Sequence, residues 1–454
     1  MLLGIDVGTT RIKAVVVDGA GQEQGSRFAP TPFRPVAGGV EMDAADLHRA
    51  LVEVVAGVAP AREEIAGIGV AGLAESGAPL RAGRVVAPVI AWHDGRGEET
   101  VASLERRFGP ALARWTGRRV RTVSSLAKLG WLLDHGLAPP DRWLGVPELA
   151  LRFLTGAEAT EYSLAARTGA YHVTEKRFLA EVVAQVVAGP PDGPADGLFP
   201  PVLPAGAVMG RVSEAAADDF QIPAGIPVSI AGHDHLAAAL GLGARPGDLY
   251  NSVGTAETLV RRMDAVPDVD RALGLDLAVS LWPGGRAWAV LASAVRAGLV
   301  VGTLADHLGV EPATLDRLAG GEGDDGGARG AGDPAPVDLG QGIVVPAGPP
   351  AEMWTATLRA LAGRTAAAAD RVASLSGPHR RLVVYGGGSR SPVWLRAKAE
   401  VVGVPVVACP VAEAAARGAA LVAGVAAGWW PDVGAGPVPA LDADGRRAGT
   451  MGGP

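Results

Sequence analysis

Two strand–turn–strand units constrain the fold of this chain more than any other feature. The first joins the β-branched runs 2–7 and 12–18 through a polar, glycine-opened turn at residues 8–11. The second follows the apolar run 248–253 with the same Gly-Thr pair at residues 254–255, about 245 residues further along the chain. Such turns predict β-hairpins whose free backbone N–H groups can bind an anion. The repeat therefore predicts two related domains that present phosphate-binding turns to a shared cleft.

The length of the chain agrees with two domains. At 454 residues the chain is longer than one hydrophobic core usually serves, and about 200 residues per domain is typical. Apolar periodicity at helical spacing alternates with short apolar runs, which predicts an α/β fold. We expect the domains to span residues 1–244 and 245–431, followed by a C-terminal tail over 432–454.

The first turn carries the chemistry of a phosphate site. Gly8 opens it, and Thr9 and Thr10 add two hydroxyls to the backbone N–H groups. Asp6 precedes the turn, where a carboxylate can hold Mg²⁺ directly or through water, and Lys13 lies on the next strand. An ordinary hairpin is the alternative for the turn alone.

A second acidic residue, Asp234, follows the apolar run 226–230 within the sequence Gly232-His233-Asp234-His235. An aspartate at the carboxyl end of a buried strand, facing a cleft, can accept a proton from a bound hydroxyl. His233 and His235 flank it as candidate substrate contacts. A zinc site is the alternative, and we rank it lower because no third histidine and no cysteine lies nearby in the sequence.

Candidate contacts for a polyhydroxylated ligand follow two further strands of the first half. Glu75 lies in a predicted loop over 71–77, at the carboxyl end of a strand, where open α/β sheets bind ligands. Trp92, Asp94 and Arg96 follow the apolar run 85–91. A ring face can cover the C–H bonds of such a ligand while fixed polar groups bond its hydroxyls. A solvated carboxylate at Glu75 and a local Asp94–Arg96 ion pair are the alternatives.

A glycine-rich turn marks the nucleotide side. The predicted strand 381–385 runs into a triple glycine that includes Gly387 and Gly388, followed by Ser389. Glycines at this place let a base or ribose approach the backbone, and Ser391 is a suitable N-cap for the helix that follows. A tight strand–helix turn is the alternative. The Gly/Asp-rich stretch 319–342 has almost nothing to bury, so we expect a mobile loop there.

Composition excludes several classes of function. The net charge is −7 and no long Lys/Arg block occurs, which gives no footprint for nucleic acid or an anionic membrane. The single cysteine, Cys409, indicates a reducing compartment. The N-terminus lacks the basic region of a signal peptide, and the longest uncharged apolar run, 418–430, is shorter than a bilayer requires. We expect a soluble cytoplasmic protein that binds a small metabolite. The sequence is compatible with a homodimer and does not decide the oligomeric state.

These motifs, in this order, resemble those of the FGGY family of carbohydrate kinases, within the superfamily of actin and hexokinase. The resemblance spans about residues 1–428. It rests on the following stretches: Gly4-Ile5-Asp6-x-Gly8-Thr9-Thr10 with Lys13, Gly232-His233-Asp234, Gly254-Thr255, Gly386-Gly387-Gly388-Ser389, Trp92-x-Asp94-x-Arg96, Lys128-x-x-Trp131, Leu154-Thr155-Gly156 and Glu413-Ala414-Ala415-Ala416.

The resemblance implies two ribonuclease-H-like domains, with the sugar and the base in the first and the nucleotide in the second. It implies ATP and Mg²⁺ between them, phosphorylation of a sugar, polyol or sugar-acid hydroxyl, and Asp234 as the general base. The phosphates would meet the two Gly-Thr turns, and the adenosine the triple glycine. A catalytically weak sugar or nucleotide sensor on the same fold, and a chaperone-like or actin-like ATPase, are the alternatives.

Overall fold

The structure, a computed structural model, describes residues 1–58, 64–187, 197–320 and 336–439. In the first half of the chain the elements are, in order, β1 (Leu2–Val7), β2 (Arg11–Val17), β3 (Glu23–Pro30), β4 (Arg34–Val36), β5 (Gly39–Met42), α1 (Ala44–Gly57), β6 (Gly67–Gly72), β7 (Gly77–Arg81), β8 (Arg84–Val85), β9 (Val89–Ile90), α2 (Glu98–Phe108), α3 (Pro110–Thr116), α4 (Ser125–Asp134), β10 (Arg142–Gly145), α5 (Val146–Thr155), β11 (Thr160–Glu161), α6 (Tyr162–Ala165), β12 (Tyr171–His172), β13 (Arg177–Phe178), α7 (Ala180–Val186), β14 (Val202–Leu203), β15 (Gly210–Arg211), α8 (Glu214–Phe220), β16 (Pro227–His233) and α9 (Asp234–Gly241).

The second half contains fewer elements and one long helix. They are β17 (Asp248–Val253), β18 (Glu257–Met263), α10 (Val269–Gly274), β19 (Ala278–Leu281), β20 (Trp288–Val295), α11 (Ala297–Leu308), α12 (Pro312–Gly320), β21 (Val337–Asp338), β22 (Val344–Val345), α13 (Pro350–Ser376), β23 (Arg381–Tyr385), a 3₁₀ turn (Gly387–Arg390), α14 (Pro392–Val401), β24 (Val406–Ala408), α15 (Ala414–Ala426) and a second 3₁₀ turn (Val433–Ala435).

Two six-stranded sheets form the centres of the two halves and share one pattern. The first has the order β15-β16-β6-β1-β2-β3 and the second the order β19-β20-β18-β17-β23-β24. In each, an antiparallel hairpin (β1–β2, β17–β18) lies beside a parallel strand (β6, β23). The Gly-Thr turn is the connection of each hairpin. The predicted two-domain α/β architecture is confirmed.

Buried strands deliver the site residues to the edge where these turns lie. All six residues of β1 are buried, so Asp6 near its end has almost no exposed surface. Strand β16 is buried over six of its seven residues and ends one residue before Asp234. Strands β6, β1 and β16 run parallel, so their carboxyl ends meet at the same edge of the first sheet.

Helix α15 lies within the expected second domain, residues 245–431, yet it packs on the first sheet and on α9. Glycines make this approach possible: a Cβ added at Gly4 would lie 1.8 Å from the Ala416 carbonyl oxygen, and one added at Gly69 would lie 1.9 Å from that of Ala419. The alanines and glycines of α15 do not indicate in the sequence against which sheet the helix packs.

Other differences are local. The predicted loop 71–77 is shorter, because β6 continues to Gly72 and β7 begins at Gly77, and the predicted strand 85–91 is two short strands. Of the expected mobile loop 319–342, residues 321–335 lie outside the described residues, as do residues 440–454 of the predicted tail. Within the described ranges, no helix combines the length and the apolar character needed to cross a membrane.

Candidate active site

A cleft of about 690 Å³ lies between the two sheets and brings together most of the predicted site residues. Those that line it are Asp6, Gly8, Thr9, Thr10, Lys13, Glu75, Trp92, His233, Asp234, His235, Gly254, Thr255 and Gly387. Both Gly-Thr turns therefore face the same space as Asp6, the candidate metal ligand, and Asp234, the candidate base. Asp94, Arg96, Gly388 and Ser389 do not line it.

Asp234 is the first residue of α9, directly after the buried strand β16. Its Oδ1 accepts a hydrogen bond from the His235 backbone N–H at 2.6 Å and lies 3.2 Å from His233 Nε2. Both contacts are made by the same oxygen, and the side chain is 25% exposed. This arrangement fixes the carboxylate and leaves Oδ2 available to a ligand in the cleft.

The neighbouring histidine is held neutral. His233 is buried, and burial, with the nearby Arg167, lowers its pKa well below the ordinary value. A neutral ring with its proton on Nε2 donates to Asp234 and so orients the carboxylate. The ligand atoms of His233, Asp234 and His235 lie within 4.8 Å of one another, so the zinc alternative retains a geometric basis.

A chain of hydrogen bonds next to Asp234 connects the first half of the molecule to the second. The His233 backbone N–H donates to Ser163 Oγ at 2.9 Å, and Ser163 Oγ lies 2.5 Å from Glu161 Oε2. Glu161 Oε1 accepts the Gly284 N–H at 2.9 Å, from the connection of β19 to β20. Gly232 must be glycine here, because it has φ 106° and a Cβ would lie 2.4 Å from Ser163 Oγ.

Asp6 is a buried carboxylate with one unsatisfied oxygen. Lys13 Nζ lies 3.8 Å from its Oδ2 and 2.7 Å from Glu413 Oε2, while Oδ1 has no hydrogen-bond partner among the described residues. Burial raises the pKa of Asp6 to about 7, against the nearby positive charge of Lys13. A buried carboxylate in this condition suits a cation, so the donor atoms present are compatible with Mg²⁺.

The first Gly-Thr turn is held by its own backbone and by an aromatic residue. The Gly8 N–H donates to the Arg11 carbonyl at 3.0 Å, and Thr31 Oγ1 donates to the Gly8 carbonyl at 2.7 Å. Trp92 Nε1 donates to Thr9 Oγ1 at 2.8 Å. Trp92 thus lines the cleft and positions one hydroxyl of the turn.

The second turn rests on a buried polar network that no motif in the sequence indicated. Lys398 Nζ donates to Asn251 Oδ1 at 2.9 Å and lies 2.7 Å from Thr365 Oγ1. It also forms an ion pair with Glu257, two residues after Thr255. The exposed fractions of the Lys398 and Glu257 side chains are 1% and 0%. The hydrophobic pattern of α14 gave no reason to separate this lysine from solvated ones.

Glu75 occupies an unusual backbone conformation. Its φ is 69°, and the Ser76 N–H donates to the Ala74 carbonyl at 2.8 Å, so Glu75 is the centre of a strained three-residue turn. Arg118 and Arg167 both contact its Oε1, at 2.8 and 2.6 Å. No motif in the sequence indicated either arginine, because both lie in a stretch that only predicts helices.

Asp94 and Arg96 are placed differently from the sequence expectation of sugar contacts. Arg96 pairs with Asp94 and with Glu41, each at 2.6 Å, and Asp94 also accepts the Val40 N–H at 2.8 Å. The Arg96 guanidinium stacks 4.5 Å from the Trp131 ring. The alternative of a local ion pair describes these two residues, since their polar atoms are used within the protein.

The three glycines at 386–388 also differ in whether they face the cleft. Gly387 lines the cleft, with Gly386 and Arg390 beside it. Gly388 instead packs inward, because an added Cβ would lie 2.3 Å from Val253 Cγ1, and Ser389 Oγ donates to the Gly386 carbonyl at 2.7 Å. Ser391 caps α14 as predicted, accepting the Trp394 N–H at 3.0 Å.

Comparison with known proteins identifies the class. Residues 1–241 match the model of the N-terminal domain, and residues 324–427 that of the C-terminal domain, of the FGGY family of carbohydrate kinases. A glycerol kinase of Trichlorobacter lovleyi is 31% identical over 95% of this chain and 91% of its own. One of Halorhodospira halophila is 30% identical over 94% and 89%.

The fold leads to the same class. The crystal structure of a xylulose kinase from Rhodospirillum rubrum superposes with a TM-score of 0.80 at 25% identity, over 97% of this chain and 93% of that one. The molecule has the two-domain architecture of the actin and hexokinase type. The chain belongs to the FGGY family of carbohydrate kinases, whose members phosphorylate sugars or polyols with ATP.

Proposed function

We propose that this kinase transfers the γ-phosphoryl group of ATP to a hydroxyl of a small carbohydrate, with Asp234 as the general base. The observation that carries the proposal is the position of Asp234 in the cleft that both Gly-Thr turns line. Its Oδ1 is held by His235 N–H and His233, while Oδ2 is available to a substrate hydroxyl.

The chemistry requires few groups. Asp234 accepts the hydroxyl proton as the oxygen bonds to the γ-phosphorus, and the bond from that phosphorus to the ADP oxygen breaks with its electron pair on ADP. The backbone N–H groups and hydroxyls of the two turns, with Lys13, bind the phosphates and balance their charge. Gly387, at the head of the 3₁₀ turn, lies where the nucleoside can approach the backbone.

Asp6 is the residue that would hold Mg²⁺, directly or through water. Its buried, unpartnered Oδ1 supports this role. The metal supplies charge neutralisation at the phosphate oxygens. The ion pair between Lys13 and Glu413, at 2.7 Å beside Asp6, holds the Lys13 ammonium group at the wall of the cleft.

Glu75 and Trp92 are the residues that we assign to the carbohydrate, together with His233 and His235 around the base. Trp92 offers a ring face, and Glu75 a carboxylate held in a fixed place by two arginines. A fixed polar group discriminates strongly between a substrate with the matching hydroxyl and one without it.

The test is the release of ADP from the purified protein with Mg-ATP, measured against ketoses, polyols and sugar acids. We expect one class of acceptor to raise the rate well above the rate without acceptor. ADP release that is independent of any acceptor would instead indicate an ATPase. A thermal shift with an acceptor and no ADP release would favour the sensor alternative.

A further inference from the structure

Two arginines converge on one carboxylate in the substrate part of the cleft. Arg118 Nη1 and Arg167 Nη2 contact the same oxygen, Glu75 Oε1, at 2.8 and 2.6 Å. The exposed fractions of the Arg118, Arg167 and Glu75 side chains are 13%, 17% and 5%. The cluster is therefore largely withdrawn from water while it still lines the cleft.

Its hydrogen-bond donors outnumber its acceptors. Each guanidinium carries five N–H donors, and within the described residues the structure shows no side-chain acceptor for either except Glu75. Arg167 Nε is buried and has no partner there. Unmade hydrogen bonds of a buried charged group are costly, so a ligand in the cleft is expected to supply acceptors.

The charges of the cluster do not balance either. Among the three side chains Arg118, Arg167 and Glu75, two guanidinium groups contact one carboxylate, which leaves one positive charge in excess within the cluster. Burial and the neighbouring Arg118 lower the pKa of Arg167 to about 10, as expected where a cation lacks sufficient negative charge around it. Arg118, Arg167 and Asp234 line the same cleft, so the cluster shares this space with the proposed base.

The cluster is built at a cost in backbone energy. Glu75 has φ 69° in a three-residue turn, a strained conformation for a non-glycine residue. Such strain persists where the surrounding structure requires it. Here it directs the carboxylate onto the two arginines and fixes the position of both guanidinium groups.

We propose that Arg118 and Arg167 form a carboxylate subsite and that the acceptor of this kinase is a sugar acid, bound with its carboxylate on the arginines and a hydroxyl at Asp234. Planar guanidinium groups bind carboxylates through paired N–H bonds. One excess positive charge matches a carboxylate better than a phosphate monoester, which carries about −1.5 to −2. The substrate class rests on the proposed function.

The experiment compares acceptors in which a terminal carboxylate replaces a terminal hydroxymethyl group. ADP release is measured with three matched pairs of equal carbon number: glycerate and glycerol, erythronate and erythritol, gluconate and sorbitol. Glucose 6-phosphate and glycerol 3-phosphate test a phosphate in place of the carboxylate. We expect kcat/KM for the best acid to exceed that for its neutral partner by about 100-fold or more.

Variants locate the effect. Arg118→Met should raise KM for the acid by about tenfold or more and leave KM for Mg-ATP within about twofold, whereas Arg118→Lys should restore part of the affinity. Arg49→Met, at an exposed arginine outside the cleft, is the matched control and should change neither. Protection of the wild-type protein against thermal unfolding by the acids alone gives a second readout that needs no turnover.

The outcomes separate the two proposals. Equal or faster turnover of the neutral partners, with no effect of Arg118→Met, overturns the carboxylate subsite and leaves the kinase intact. Preferred turnover of the sugar phosphates overturns the choice of a carboxylate. If no acceptor releases ADP, the proposed function fails, and the subsite fails with it unless the acids alone raise the unfolding temperature in an Arg118-dependent way.

Discussion

Behind the first Gly-Thr turn the charged side chains reach the cleft, whereas behind the second they are sealed inside the domain. Lys13 and Glu413 are each 29% exposed, and Asp6 beside them has an unsatisfied oxygen. Lys398 and Glu257 are 1% and 0% exposed. Two hairpins of the same pattern thus rest on charges of different use.

The difference indicates a division of labour. Charges that reach the cleft can meet a ligand, so the first turn is expected to bind phosphate and metal through side chains as well as backbone. Charges sealed below the turn can only hold its shape, so the second turn is expected to act through its backbone. The contact of the Gly298 N–H with the Thr255 carbonyl, at 3.2 Å, adds to that rigidity.

The largest effect is expected at Lys398. Lys398→Met removes the cation and leaves Glu257 buried without its partner, so we expect a loss of about 3–5 kcal/mol in the free energy of unfolding. Urea denaturation measures it. The double variant Lys398→Met/Glu257→Gln should lose less than the single one, because no charge stays unpaired. A single variant as stable as the wild type would contradict the structural role.

Glu148 serves as a comparison for Glu257, because it is a buried carboxylate with no lysine paired to it among the described residues. Glu148 is buried next to Thr160, and burial raises its pKa to about 7 from 4.5. A raised pKa stabilises the folded protein below about pH 4.5, and that contribution is lost as the pH rises to about 7. The shift corresponds to about 3 kcal/mol at most.

The measurement is the free energy of unfolding between pH 4.5 and 8 for the wild type and for Glu148→Gln. The variant should show a smaller fall in stability across this window, because glutamine does not ionise. Asp6 and Glu161 contribute a fall of the same sign in both proteins, so the difference between the two curves is the result. Parallel curves would refute the assignment.

Asp6 tests the exposed side of the comparison. Asp6→Asn should lower kcat by about 10- to 100-fold and raise the Mg²⁺ concentration needed for half the maximal rate, with little loss of stability. Asp18→Asn, at a half-buried aspartate after the same hairpin and outside the cleft lining, is the control and should leave both unchanged. A variant with normal Mg²⁺ dependence would remove Asp6 from the metal site.

The smallest effect is expected at Trp92. Trp92→Phe keeps an aromatic side chain, though a smaller one, and removes the indole N–H that bonds Thr9 Oγ1, a loss of about 1 kcal/mol for the hydrogen bond. We expect KM for Mg-ATP to rise about three- to fivefold. Trp131→Phe, which lies behind Arg96 and outside the cleft, serves as the control. An unchanged KM would mean that Thr9 does not need this bond.

Local patterns in the sequence predicted the architecture well. The hairpins, the strand that leads to Asp234 and the cap of α14 follow from β-branched runs, glycine turns and the Ser391 N-cap, all of which act over a few residues. The packing of α15 on the first sheet was not predicted. That contact depends on glycines far apart in the chain, Gly4 and Gly69, that allow the backbones of the sheet and the helix to meet.

The candidate site was predicted in part for the same reason. Residues on short turns at strand ends, such as Thr9, Glu75 and Asp234, share the cleft. Asp94 also follows a strand end, yet it forms an ion pair with Arg96, two residues away. Alternating charges in a sequence do not distinguish such a local pair from a ligand site. Arg118, Arg167 and Lys398 were missed because their acceptors are 33 or more residues away, and contacts at this separation leave no signature in the sequence.

The most direct test of the account is the turnover of Asp234→Asn with the best acceptor from the panel, measured together with its affinity for Mg-ATP. A general base is worth about 10²–10⁴-fold. We predict that kcat falls by about 1,000-fold while the affinity for Mg-ATP stays within about twofold, with Asp219→Asn, at an exposed residue, unchanged in both. A variant that retains wild-type turnover would contradict Asp234 as the base.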